Sequence, residues 1–143
     1  MFNYSGKPYL TQKWVHAICD EFYGTEGIHG YGYGQDEDQG QLGAWYVMSS
    51  IGLFDVKGLT DINPSFQVGS PLFDKVTIKQ SKASGRKDFV IDIANNSKTN
   101  VYLQDVQLNG KNLDKLSIDL KDITKGGTLK MTVGGKPSNK WSN

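Results

Sequence analysis

A single cysteine, Cys19, rules out an internal disulfide and leaves the redox compartment open. Only two histidines are present, His16 and His29, and neither has metal-ligand spacing to the other or to the cysteine. Excess charge is missing as well: 16 Lys+Arg against 15 Asp+Glu leave a net charge of +1. That excludes a nucleic-acid partner and a polybasic membrane-binding surface. No apolar run approaches the roughly 18 residues of a membrane span, and no stretch reads as a signal peptide. There is no Ser-His-Asp arrangement. The glycine run Gly30-x-Gly32-x-Gly34 lacks the following Lys-Ser/Thr of a phosphate loop. What remains, in 143 residues that are 37% hydrophobic, is enough for one modest core.

The chain changes character near residue 58, which predicts a helical segment over residues 1–57 and a β segment over residues 58–143. In the first, Thr11 is the expected N-cap after the helix-excluding pair Lys7-Pro8. Trp14, Ile18 and Phe22 recur at steps of four, with Val15 and Cys19 beside them, as the apolar stripe of a helix that Gly24 stops. Cys19 then reads as a buried thiol rather than a nucleophile. A second helix is expected from Gln39 to Leu53. Its apolar residues cover nearly the whole circumference, so it requires partners on every side, more than a chain of this length supplies. The opening Met1 to Pro8 likewise reads as the tail of one element and a turn into the next, as in a piece of a longer protein.

Beyond residue 58, short alternating segments predict antiparallel strands at 66–68, 75–79, 89–93, 101–108, 116–120 and 128–133. Turn-rich connectors separate them, among them Asn95-Asn96-Ser97, which also fits a glycosylation sequon, and Asn109-Gly110. The fold class expected is α+β, two helices followed by half or more of a β-sandwich.

The densest chemistry is Asp36-Glu37-Asp38, just ahead of the apolar helix. Adjacent carboxylates repel, so the cluster needs a reason. Capping of the helix is one, through its dipole and free N–H groups. Calcium is another, but not as an EF-hand: counted from Asp36, Gly40 falls at position five and Val47 at position twelve, where a bidentate Glu is required. A calcium site shared with other segments stays open. The third is inverting glycosidase chemistry, in which one carboxylate takes a proton from water and a second protonates the leaving oxygen. Asp36 and Asp38, two apart, face the same side of an extended segment. Tyr31, Tyr33, Trp45 and Tyr46 are candidate sugar-stacking walls, although plain core is the simpler role for Trp45 and Tyr46. Chemistry alone leaves capping and catalysis level.

The flanking blocks add a resemblance. Phe2-Asn3-Tyr4-Ser5-Gly6-Lys7-Pro8-Tyr9-Leu10-Thr11-Gln12, Asp36-Glu37-Asp38-Gln39-Gly40-Gln41, Ala44-Trp45-Tyr46-Val47 and Gly69-Ser70-Pro71-Leu72-Phe73-Asp74-Lys75 together resemble the family 92 glycoside hydrolases, exo-acting α-mannosidases. The likeness covers nearly the whole chain. One departure, Leu42-Gly43 where similar proteins often carry Met-Ser, leaves the acids untouched.

The resemblance implies a calcium-dependent inverting enzyme that acts on mannose-containing glycans and is exported to the periplasm or cell surface. In such enzymes an N-terminal β-sandwich meets an (α/α)6 barrel. This chain matches only the last part: the end of the barrel and the β segment after it. By position Asp38 is the general base and Asp36 its partner. Glu37 and Gln41 are substrate-side neighbours, and Gln12 has a weaker substrate-side role. The family's general acid and most of its calcium cradle lie ahead of the part that this chain resembles. The chain alone is therefore expected to be inactive and, with Trp14, Trp45, Tyr46 and Met48 lacking barrel partners, to self-associate. A different class of reading is a free-standing carbohydrate-binding or structural β module with a helical arm.

Overall fold

A computed structural model describes residues 2–23, 40–81, 83 and 85–142. A 3-10 turn at Phe2–Ser5 leads into α1, Pro8–Phe22. The helix begins at Pro8, not after Thr11, and Lys7 is its N-cap residue, with no side-chain cap bond. The proline restricts the residue before it but is itself favoured at the first helical position, where no N–H is needed. Gly24, the expected stop, lies outside the described residues.

The face α1 buries holds the expected Cys19 and, beside it, polar residues that the apolar periodicity did not single out. Pro8, Gln12, His16 and Cys19 are the buried residues, whereas Trp14 and Phe22 are about half exposed, at 49% and 48%. The apolar stripe at steps of four points away from the described core, and a polar face points into it.

The second helix, α2, is shorter than expected, Gln41–Ser50. Gly40 precedes it in the left-handed region (φ 87°), and Gly52 (φ 77°) ends the turn that follows it. Leu53–Phe54 is therefore a strand, β1, rather than the end of the helix. A Cβ at Gly52 would stand 2.7 Å from Pro71 Cγ and 3.0 Å from the Gly69 carbonyl oxygen. This position accepts only glycine, on backbone angle and on space alike. The segment Gly69 to Leu72 folds back onto the same corner: Gly69 N–H donates to Gly52 O at 2.8 Å and Leu72 N–H to Ser50 O at 2.9 Å.

The remaining strands are β2 (Ser65–Val68), β3 (Lys75–Ile78), β4 (Phe89–Ala94), β5 (Tyr102–Leu108), β6 (Lys111–Asn112), β7 (Ser117–Asp119) and β8 (Gly127–Gly134), with a short helix α3 (Leu120–Lys125) before the last. They form a three-stranded sheet β1-β2-β7 and a five-stranded sheet β3-β4-β8-β5-β6. The apolar residues of both sheets share one cluster, Leu53, Phe66, Val68 and Ile118 from the smaller and Phe89, Ile91, Leu103, Val106, Leu129 and Met131 from the larger. Such side chains contribute about 1.5–3 kcal/mol each on full burial.

Two strand expectations change. Not all pairing is antiparallel: β4 and β8 run parallel, with Ile91 beside Leu129 and Ile93 beside Met131. A parallel pair needs a long crossover, and β5, β6, β7 and α3 supply it. The strand expected over 116–120 stops at Asp119, and Leu120 opens α3, whose Ile123 is buried in the core. The Asn109-Gly110 turn is as read: both residues have positive φ, 51° and 81°, and they join β5 to β6.

Candidate functional site

Two residues one helical turn apart carry the polar face of α1 into the β layer. Gln12 is 3% exposed, and its side-chain oxygen accepts the Leu103 N–H of β5 at 3.0 Å. His16 is 6% exposed, and its Nε2 lies 3.0 Å from the Ser70 carbonyl oxygen. A carbonyl only accepts, so Nε2 bears the proton and donates. Burial lowers the His16 pKa below its ordinary value, against the raising effects of the Ser70 bond and the Asp20 carboxylate. Cys19, on the next turn, is buried too. Burial first, then Asp20, pushes its thiol up to about 11, which makes it a poor nucleophile.

A pH dependence follows. With the folded pKa below 6.5, the neutral imidazole's contribution is complete above about pH 6.5 and is lost as pH falls through the lowered folded value. Urea unfolding at pH 7.5 and pH 5 is expected to show a larger loss of stability on acidification in the parent chain than in His16→Gln. Equal losses in the two proteins would contradict the assignment.

Between α1, α2 and the β1-β2 edge lies a hollow of about 190 Å³, lined by Asn3, Thr11, Gln12, Trp45, Ser49, Gln67 and Ser70 among others. The Thr11 and Ser70 hydroxyls that line it are buried, and no hydrogen-bond partner is found for either among the described residues. Among the described residues its wall has no carboxylate and no imidazole.

Tyr23 caps the C-terminal end of α1 in an extended conformation. Its hydroxyl donates to the Leu42 carbonyl at 3.2 Å. Its ring stacks on Tyr46, with centroids 4.8 Å apart, and on Trp45 at 5.5 Å.

Of the residues singled out from the sequence, Asp36, Glu37 and Asp38 lie outside the described residues, as do Tyr31, Tyr33 and His29. Gln41 opens α2 with an exposed side chain. Gln12 is placed, and its oxygen is engaged by the β5 backbone rather than facing open solvent. Trp45, Tyr46 and Met48 are half-buried, and Val47 is 57% exposed. His16 and Tyr23 carry more than the sequence reading gave them. The available signal was that Gln12 and His16 are spaced by four on a helix that otherwise looked apolar on that side.

Residues 1–135 match the model of the glycosyl hydrolase family 92 catalytic domain. A protein named as an uncharacterized secreted glycosidase from Arthroderma benhamiae is 30% identical over 141 residues, which are 96% of this chain and 17% of that protein. A family GH92 alpha-mannosidase from Bacteroides thetaiotaomicron, also solved in complex with mannoimidazole, superposes with a TM-score of 0.84 at 30% identity, covering 99% of this chain and 18% of its own. A family GH92 inverting mannosidase from the same species gives 0.77 at 30%, covering 96% and 17%. The chain thus spans less than a fifth of the length of these relatives.

Proposed function

From the premise that the chain belongs to glycosyl hydrolase family 92, we propose that it is the part of an exported, inverting exo-α-mannosidase that supplies the general base. The substrate is an α-linked mannoside at the end of a mannose-containing glycan. The observation that carries this reading is the family match over residues 1–135, which spans the acidic block and its flanking motifs in order. The relatives named as α-mannosidases support the substrate class, and the secreted fungal relative supports export. No helix among the described residues is long and apolar enough to cross a membrane.

In this reading Asp38 takes a proton from a water molecule as the water's oxygen attacks the anomeric carbon. The glycosidic bond breaks on the opposite face, and its oxygen leaves with a proton from a general acid. Asp36 assists Asp38, and a neighbouring carboxylate raises the affinity of the pair for that proton. Glu37 and Gln41 border the substrate. Gln12, its oxygen held by Leu103, acts mainly by fixing α1 on the β layer. The general acid comes from chain outside these 143 residues, and that chain also covers the exposed stripe of Trp14 and Phe22. Calcium, which the family resemblance implies, would engage the sugar hydroxyls when bound. Among the described residues no group of three or more His, Cys, Asp or Glu gathers to hold an ion.

The test uses the purified 143-residue chain with α-1,2-mannobiose and calcium. No turnover is expected, together with self-association by light scattering through the uncovered stripe. Clear turnover would sink the division of labour between this chain and the rest of the enzyme. A clean monomer would count against the uncovered stripe.

A further inference from the structure

We propose that the hollow between α1, α2 and the β1-β2 edge is a binding site for one neutral sugar ring, the size of a single hexopyranose. The site goes beyond the catalytic reading and does not depend on the choice of general base. Two kinds of wall meet in it. Val15, Trp45, Leu53 and Phe54 supply apolar surface. Asn3, Thr11, Gln12, Ser49, Gln67 and Ser70 supply amides and hydroxyls. All of these polar groups are neutral. Among the described residues an anion finds no cation there, and a metal ion finds no carboxylate. A neutral ligand with an apolar face and a rim of hydroxyls has the matching chemistry. A sugar ring is such a ligand: its C–H face packs on an aromatic ring, and its hydroxyls both donate and accept.

The amides are held by one half and offer the other. Asn3 Nδ2 donates to Gln67 Oε1 at 3.1 Å, which leaves Asn3 Oδ1 as an acceptor and Gln67 Nε2 as a donor. Gln12 Oε1 accepts the Leu103 N–H, and its Nε2 keeps two N–H donors beyond that bond. The Thr11 and Ser70 hydroxyls are buried, with no partner among the described residues. Buried polar groups are nearly always satisfied, so orphans gathered at one hollow call for an occupant that completes them. The volume sets the size of that occupant. About 190 Å³ is the liquid share of about six water molecules and lies below the range of drug-sized sites. It takes one ring, and a longer glycan has to run out through the mouth. Tyr4 and Val56, which line the hollow and are 64% and 53% exposed, stand at that mouth.

The test titrates methyl α-mannoside into the 15N-labelled 143-residue chain and follows the side-chain amides of Asn3, Gln12 and Gln67 and the Trp45 indole by NMR. Saturable shifts are expected at these groups. Asn3→Ala and Gln67→Leu are each expected to weaken binding about tenfold. Asn3 lies in a 3-10 turn with no buried residue, so its replacement leaves the core in place. Thr11→Val removes an orphan hydroxyl at nearly constant shape. It is expected to weaken binding about threefold or more while stability in urea stays equal or rises. Asp38→Asn is expected to bind as the parent does, and this separates the hollow from the catalytic reading: if binding is lost in Asp38→Asn, the sugar sits at the acidic block and the proposal fails. An absence of saturable shifts would mean a hollow filled by solvent only and would overturn the proposal. So would equal shifts with glycerol at the same concentration, or binding unchanged in both Asn3→Ala and Gln67→Leu.

Discussion

Asp38→Asn, introduced into the chimera that carries residues 1–135 within the Bacteroides α-mannosidase, is expected to lower kcat by ~10²–10⁴-fold with a much smaller change in KM. Asparagine matches aspartate in shape and cannot take the proton of the attacking water. An inverting enzyme has no covalent intermediate to fall back on, so the loss falls on its one chemical step. The base meets the substrate's anomeric carbon only through that water, which is why ground-state binding changes little. Asp36→Asn, removing the partner rather than the base, is expected to cost less. Steady-state kinetics on α-1,2-mannobiose checks both, with circular dichroism to confirm folding. An Asp38→Asn chimera within about threefold of its parent would remove Asp38 from the mechanism.

Phe89→Ala is expected to destabilise the chain by about 3–5 kcal/mol. Phe89 is fully buried at 0% exposure, and it opens β4 between Ile78 of β3 and Gly127 of β8. Gly127 has no side chain to move into the space left behind, so relaxation around the cavity is limited. Total stabilities of domains are about 5–15 kcal/mol, so this single change removes a large share. Urea unfolding monitored by far-ultraviolet circular dichroism gives the value. Ile62→Ala is the control: at 95% exposure, Ile62 is expected to shift stability by less than about 0.5 kcal/mol. A Phe89→Ala loss below about 1 kcal/mol would show that the shared core between the two sheets is not what holds the β part together.

The β part was legible because alternation has one physical reading. Val76 and Ile78, Ile91 and Ile93, and Leu129, Met131 and Val133 step inward at every second residue, as the register shows. What alternation does not carry is the partner. Nothing local in Phe89–Ala94 says that Gly127–Gly134 will lie beside it in parallel, some thirty residues later. Leu120 looked like a strand end because α3 is only six residues long, its N-cap residue Asp119 makes no side-chain cap bond, and Ile123 is its buried residue.

The helices were harder, for a reason tied to function. Periodicity identifies an apolar stripe but not what covers it. Trp14, Ile18 and Phe22 read as one apolar stripe, with Trp14 lacking barrel partners. In the structure the core of this chain takes Gln12, His16 and Cys19, each polar member of which has a backbone partner. A buried glutamine and histidine are stable only with such partners, and those partners sit 91 and 54 residues away in sequence. The stripe's exposure fits a chain whose relatives carry over 80% of their length elsewhere. The acidic block was legible as chemistry, yet the choice between capping and catalysis came from its flanking motifs.

The most direct test of the central claim is the anomer first released by the chimera, followed by proton NMR during hydrolysis of an α-mannoside. An inverting mechanism with Asp38 as base predicts β-mannose first, and no release of either anomer above background in the Asp38→Asn form. Release of α-mannose first, or β-mannose at an undiminished rate without Asp38, would contradict it.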